Sequence, residues 1–476
     1  MSISRRRSRR AVLASLGAMG SITGCLRLSS NGATSTPSDS TPADMETPTP
    51  ASTLTDEPPQ STPTVTPSVE ALPSSYDNEW AQFMFDAANT GYAPDTAGPT
   101  EDVEVAWRFI SGMNSDAGLA IADGTVFVGD WSDQLFALDG VTGELDWKRN
   151  LGGNVSFPAP AVKNGTVVLG THDGRVYGVD AQSGAFTWYF DTEGMVWSSP
   201  TIWEDYVFVT STDGTLYALS LADGSEYWRF ASGDAALLAS TATDGTRVYV
   251  GSADLPDSIT IEDGYPFDPN VKDRWVGADG ASRLYAVDID TGAQDWAVDA
   301  GHVFVGSPAV ANGRVYAGNY DGTIYALSAV DGRVQWTVQT DGVITATPAI
   351  AAGTVYIGSW DGTLYAVDAD SGDREWIFPT ESRVVAPVAV AEEQVYLNGH
   401  DGFVYGIEAG SGHEAWRVES FSSGPGGRPW PTALSSSAAR AKWIQRGSCS
   451  HWPDRARRPG RYRCPPNRTE KTISVA

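Results

Sequence analysis

Six side chains able to hold a ligand recur at one place in successive sequence units: Trp131, His172, Thr212, Tyr320, Trp360 and His400. Indole and phenol rings stack on flat groups or anchor a partner, and imidazole both donates and accepts hydrogen bonds. Trp131, His172, Tyr320, Trp360 and His400 therefore form a candidate binding rim. The same residues could instead fill the joints at the mouths of the units. A second candidate lies between Gly251 and Leu284, where 28 extra residues carry Asp254, Asp257, Glu262, Asp263, Asp268, Asp273 and Asp279. Asp263, Asp268, Asn270 and Trp275 are its candidate contacts. Clustered carboxylates beside an amide oxygen could hold a hard cation such as calcium. Their spacing matches no EF-hand loop, and a solvated acidic loop accounts for them equally. No Ser-His-Asp spacing, paired carboxylates or His/Cys pattern rises above the repeat background. No catalytic residue and no metal ligand is assigned.

The elements that must position these groups are set by a periodic signal. Tryptophans stand at 107, 147, 188, 228, 296, 336, 376 and 416, with gaps of 40, 41, 40, 68, 40, 40 and 40. A period near 40 with turn signals marks a propeller blade or solenoid unit. One unit runs Thr347-Pro348-Ala349-Ile350, Val355-Tyr356-Ile357-Gly358, Asp361-Gly362, Leu364-Tyr365-Ala366-Val367-Asp368, Ser371-Gly372 and Trp376. Short β-branched and aromatic runs separated by Asp-Gly and Ser-Gly steps predict four antiparallel strands, A to D. A glycine precedes each tryptophan from Trp147 onward by four residues. Four-stranded units of this length predict an all-β propeller. The rim residues then lie on the B–C turns, on the face shared with the D–A connections. The 28-residue insert falls in the fourth B–C turn, on that same face.

The pattern Asp213-Gly214-Thr215-Leu216-Tyr217-Ala218-Leu219-Ser220 through Trp228, repeated at Asp173, Asp321, Asp361 and Asp401, resembles the pyrroloquinoline-quinone-type (PQQ-like) propeller repeat. That family includes quinoprotein alcohol dehydrogenases and BamB-like lipoproteins. Trp80, Asp86, Asn89, Thr90, Gly91 and Tyr92 resemble its lead-in to the first blade. The resemblance covers residues 76–431 and implies that Trp147, Trp188, Trp228, Trp296, Trp336, Trp376 and Trp416, with Trp107, lock blades together. It also implies, for the dehydrogenases, a quinone site with adjacent cysteines, a stacking tryptophan, calcium and a catalytic aspartate. This chain has no cysteine between Leu26 and Ser448, so the fold is expected without PQQ. Calcium is left as the one ion the insert could bind.

Seven A–D units are complete, and Trp107 is left as an orphan D strand. Arg428-Pro429-Trp430-Pro431 opens an eighth unit whose remaining strands never arrive, so the expectation is seven complete blades plus an interrupted eighth. Residues 432–476 form a basic, atypical tail with Cys449 and Cys464, read either as a partner-binding segment or as frame-shifted sequence. The frame shift is favoured because the break and the charge reversal coincide.

At the other end, Arg5 to Arg10 precede a short apolar stretch and Ile22-Thr23-Gly24-Cys25. Ser8-Arg9-Arg10-Ala11-Val12-Leu13 resembles a twin-arginine signal, and the residues ending at Cys25 resemble a lipoprotein box. Residues 1–24 are expected to be an export signal with Arg9 and Arg10 as its pair, and Cys25 the lipid-anchored residue. Between Ser29 and Ser75, 29 of 47 residues are Ser, Thr or Pro, which predicts an extended tether over 25–75.

The net charge of -27 averages three segments. Residues 1–27 hold 6 basic and no acidic residues, 28–420 hold 15 and 57, and 421–476 hold 11 and 2. A body of -42 repels phosphate backbones, so nucleic acid is excluded as a partner. The sequence expectation is a non-catalytic binding or protein-interaction scaffold on the outer face of the membrane, held there by lipid alone. Its partner would be a protein or another extracellular ligand, and the acidity suits a halophilic archaeon. The alternative is a quinoprotein-type oxidoreductase using PQQ and calcium.

Overall fold

The computed structural model describes residues 80–94, 107–109, 111, 118–155, 158–233, 236–253, 282–419 and 473–475. They build seven four-stranded antiparallel sheets in simple sequential order, a seven-bladed β-propeller. The sixth blade is representative: Ala349–Ala351, Thr354–Gly358, Thr363–Asp368 and Arg374–Pro379 are its strands A to D. Tyr356 pairs with Ala366, and Ala366 with Trp376. Strand B is buried at every position while strand D is largely exposed. A blade has neighbours on both faces, so its middle strands read as continuous apolar runs and only the outermost strand alternates. The A–B turns place residues with positive φ in pairs, such as Asn164 and Gly165 (51° and 74°) or Asn312 and Gly313 (50° and 73°). Those values are what two-residue hairpins of the right twist require.

Neighbouring blades are joined by one repeated contact. The indole of strand D lies on the C–D turn glycine of the next blade. At Gly224, with φ of 71°, an added Cβ would sit 2.5 Å from Cε3 of Trp188. The Trp188 Nε1 proton is donated to the Leu221 carbonyl at 2.9 Å. Trp147 meets Gly184, Trp228 meets Gly292, Trp296 meets Gly332, Trp336 meets Gly372 and Trp376 meets Gly412 in the same way. Each of those indoles also donates to a carbonyl of the blade it touches. A bulge in the C–D pairing beside the tryptophan recurs in every blade, tilting strand D so that its indole reaches across.

A second set of joints runs nearer the channel. The backbone N–H of Ala159 donates to Ser199 Oγ, that of Ser199 to Ser240 Oγ, that of Ser240 to Ser307 Oγ, and that of Ser307 to Thr347 Oγ1, over 2.9–3.2 Å. This belt of hydroxyls links the second to the sixth blade, and every member is buried.

The ring meets itself differently. Trp107 occupies the docking place on the first blade, against Gly143 with its Nε1 proton on the Gly140 carbonyl at 3.0 Å. It belongs to a short strand, Trp107–Phe109, that pairs antiparallel with Ile473–Val475. The first and seventh blades share one apolar cluster with Trp80, Ala93 and Trp107. The interrupted eighth unit, expected to open at Arg428-Pro429-Trp430-Pro431, lies outside the described residues.

Truncating one buried docking indole tests the joint. Trp188→Ala should lower unfolding stability in urea by about 3–5 kcal/mol, the usual cost of deleting a buried large aromatic. Gly224→Ala should also destabilise, since its Cβ has no room and its φ is left-handed. A wild-type urea midpoint for either variant would refute the docking role.

Candidate functional site

In four blades the B–C turn is tied to the connection that enters its own blade. His172 donates its backbone N–H to Asn154 O, Thr212 to Met195 O, Tyr320 to Val303 O and Trp360 to Val343 O, at 2.9–3.1 Å. The turns and connections therefore form one continuous face. Three aspartates on it are engaged in holding turns. Asp213 accepts from Thr215 N–H, Tyr217 O–H and Glu193 N–H. Asp361 and Asp401 repeat the pattern with Thr363, Tyr365 and Asp341, and with Phe403, Tyr405 and Glu381. These carboxylates hold turns in place; burial first, and then the neighbouring Asp213 and Asp361 carboxylates, push the phenols of Tyr217 and Tyr365 up to about 12.

The rim residues fall into separate groups. Tyr320 and Trp360, on the fifth and sixth blades, meet edge to face with centroids 6.2 Å apart. The Arg383 guanidinium lies 4.8 Å from the Trp360 ring centre. Trp360 Nε1 donates to Thr345 Oγ1 at 2.9 Å, fixing the indole. His400, on the seventh blade, is only 8% exposed. Burial first, and then the Arg383 charge, hold its pKa down to about 3. Its Nε2 and the nearby Asn398 Oδ1 are buried without a hydrogen-bond partner. On the far side of the ring His172 packs 5.7 Å from Trp197, and burial lowers its pKa to about 4. Trp131, on the first blade, offers its carbonyl to Asn154 Nδ2 at 3.4 Å. Tyr320, Trp360 and His400 are thus brought together across three blades, and His172 pairs with Trp197, which packs against the apolar cluster that holds Tyr320.

Arg383 and Trp197 were not singled out in the sequence. Both lie in D–A connections, which differ from blade to blade and so carry no repeat signature. A signal did exist for Arg383: it is the only Arg or Lys in the described B–C turns and D–A connections. The indole face attracts and orients the guanidinium stacked on it.

The candidate loop residues Asp263, Asp268, Asn270 and Trp275 lie outside the described residues, as do Arg9, Arg10 and Cys25. A quinone with calcium would need a metal-ligating set and room at the mouth of the channel. Among the described residues no three His, Cys, Asp or Glu side chains converge to hold a metal ion. Ala236, Leu238, Ala253, Val303, Val305 and Tyr320 form a buried apolar cluster there instead. The described residues do not fit that cofactor.

The family described as outer membrane protein assembly factor BamB matches residues 100–201, 192–265, 262–347 and 342–441. No curated protein matches the chain in sequence. Among solved structures, BamB from Moraxella catarrhalis is 19% identical, with a TM-score of 0.52 over 65% of this chain and 89% of its own. A europium-containing methanol dehydrogenase is 14% identical, with a TM-score of 0.61 over 72% and 85%. The quinohemoprotein alcohol dehydrogenase from Comamonas testosteroni is 16% identical, with a TM-score of 0.59 over 78% and 77%. At such identities the three structures share a fold with this chain and nothing narrower. The chain is therefore a PQQ-like repeat propeller, and it belongs to the family described as outer membrane protein assembly factor BamB.

Proposed function

We propose that this protein is a lipid-anchored scaffold that binds a partner protein through the B–C/D–A face. The observation that carries the reading is the cluster of Tyr320, Trp360, Arg383 and His400. Aromatic and arginine side chains in a partly desolvated setting are what binding hot spots are made of. The face offers no described set of acid, base and nucleophile, and its aspartates are spent on turns. Family membership supports an interaction role. The likeness to alcohol dehydrogenases supports the second reading, an oxidoreductase using PQQ and calcium, whose missing ligands would have to come from residues 254–281.

The address follows from the N-terminal residues. Arg9 and Arg10 direct export, Cys25 carries lipid, residues 25–75 space the propeller from the membrane, and the body works at an outer cell surface in high salt. We also take the interrupted eighth unit and the basic tail over 432–476 to lie outside the seven blades, with Ile473–Val475 meeting Trp107–Phe109 beside the first.

A photo-crosslinking residue in place of Trp360 should capture a discrete partner in whole cells, and Arg383→Ala in that background should abolish the adduct. An adduct that survives Arg383→Ala removes the cluster from binding. Stoichiometric uptake of PQQ with calcium and dye-linked alcohol oxidation by the purified protein would overturn the scaffold reading. Cys25→Ser should release the protein from the membrane fraction into the medium, and continued sedimentation with membranes would rule out that anchor.

The two histidines give a pH signature. An unfolded imidazole takes up its proton near pH 6.5, but folded His172 does so only near about 4 and His400 near about 3. The unfolded chain binds more protons in between, so stability is full above about pH 6.5 and falls as the pH drops towards 4. His172→Asn with His400→Asn should flatten that slope in urea titrations, and an unchanged slope would show that other groups cause it.

A further inference from the structure

The innermost strand of a propeller blade turns one row of backbone N–H and C=O groups towards the central channel, where they need partners. Here one segment supplies them around the whole ring. Ile121 N–H donates to Trp80 O, Val162 to Ala81 O and Thr243 to Ala87 O. Val310 donates to Ala88 O, Ile350 to Thr90 O and Val390 to Gly91 O, all at 2.6–2.9 Å. In the third blade Ile202 N–H uses the Gln82 side-chain oxygen at 2.9 Å. The seven donors are the same position of strand A in the seven blades, and they are met in chain order by residues 80–91. The segment thus makes one circuit of the channel and bonds every blade at least once.

Its own conformation is built for that path. Met84, Phe85, Asn89 and Gly91 have positive φ, between 53° and 75°. Asp86 holds the curve by accepting from Thr90 N–H at 2.8 Å and Thr90 Oγ1 at 2.6 Å. Asn89 is 1% exposed and donates both amide protons, to Thr241 O in the fourth blade and Pro308 O in the fifth, at 2.9 and 2.8 Å. An added Cβ on Gly91 would strike Met84 Cε at 2.5 Å and Val388 O at 2.9 Å.

The two ends of the circuit meet the two blades that the hydroxyl belt leaves out. Trp80 bridges antiparallel to Ile121 in the first blade, and Tyr92–Ala93 pairs parallel with Ala389–Ala391 of the seventh. Trp80 and Ala93 also sit in the apolar cluster those two blades share.

We infer that residues 80–93 are the closure device of this propeller: a bonded axle that holds the first blade to the seventh and makes the stability of all seven inner strands depend on one another. The belt lies three residues earlier in strand A than the axle contacts, which is roughly 10 Å along the strand. The axle therefore stops the channel towards the A–B turns, and a ligand entering from the B–C/D–A face meets a blind end.

Hydrogen–deuterium exchange on the full chain separates a closure device from a segment that is merely packed. Asn89→Ala removes contacts to the fourth and fifth blades only. If the axle couples the ring, exchange should quicken at least tenfold at the strand A amides of all seven blades, including Ile121 and Val390, while amides of the middle strands change less. A rise confined to Thr243 and Val310, or no rise, would overturn the proposal. Should Asn89→Ala fail to fold, Gln82→Ala, which removes one contact to the third blade, gives the same reading: acceleration at Ile121 and Val390 supports closure, and a change at Ile202 alone refutes it.

Discussion

Everything else in the ring depends on the seating of an indole on a glycine. The C–D turn needs a left-handed residue, and glycine meets that need without cost. The same glycine lacks the Cβ that would hold the neighbouring blade away, so one residue type satisfies turn and joint together. The indole brings a large apolar area and one proton, and the carbonyl it bonds belongs to the same turn. Because each of the first six blades gives a tryptophan forward to the next, the units are joined with one handedness, and Trp107 supplies the indole that the first blade receives. The B–C turns and D–A connections are held on one face by that arrangement and are free to vary.

Much of this could be read in the residues. The tryptophan spacing, the glycine four positions earlier and the Asp-Gly steps gave strand order, blade number and the face on which the variable residues stand. Those features repeat, and repetition separates signal from background. The axle was legible only as a family-like lead-in, because residues 80–93 occur once and their bonds reach partners as far as 299 positions away. No pattern in Trp80-Ala81-Gln82 announces three bonds to three blades. Arg383 and Trp197 were missed for a related reason: their connections follow no period, and only a count of basic residues on one face points to the arginine.

The variable face also shows how acidity can mislead. Aspartates repeated along one face read as a repulsive surface. In the fold Asp213, Asp361 and Asp401 each accept two backbone protons and a phenolic one, so their charge is used where it stands. What remains distinctive is the exception, a single guanidinium lying on an indole.

The hydroxyl belt has a direction and an end. Each link runs from a backbone proton in one blade to a side-chain oxygen in the next, and the position that would carry it onward from Thr347 is Pro387, which has neither hydroxyl nor amide proton. The hoop is therefore split at the seventh blade. A split hoop is not equally strong all round: load or heat concentrates at the gap, and the pin across it bears the strain. In this molecule the pin is the segment from Trp80 to Ala93, which bonds to the blades on both sides of the gap.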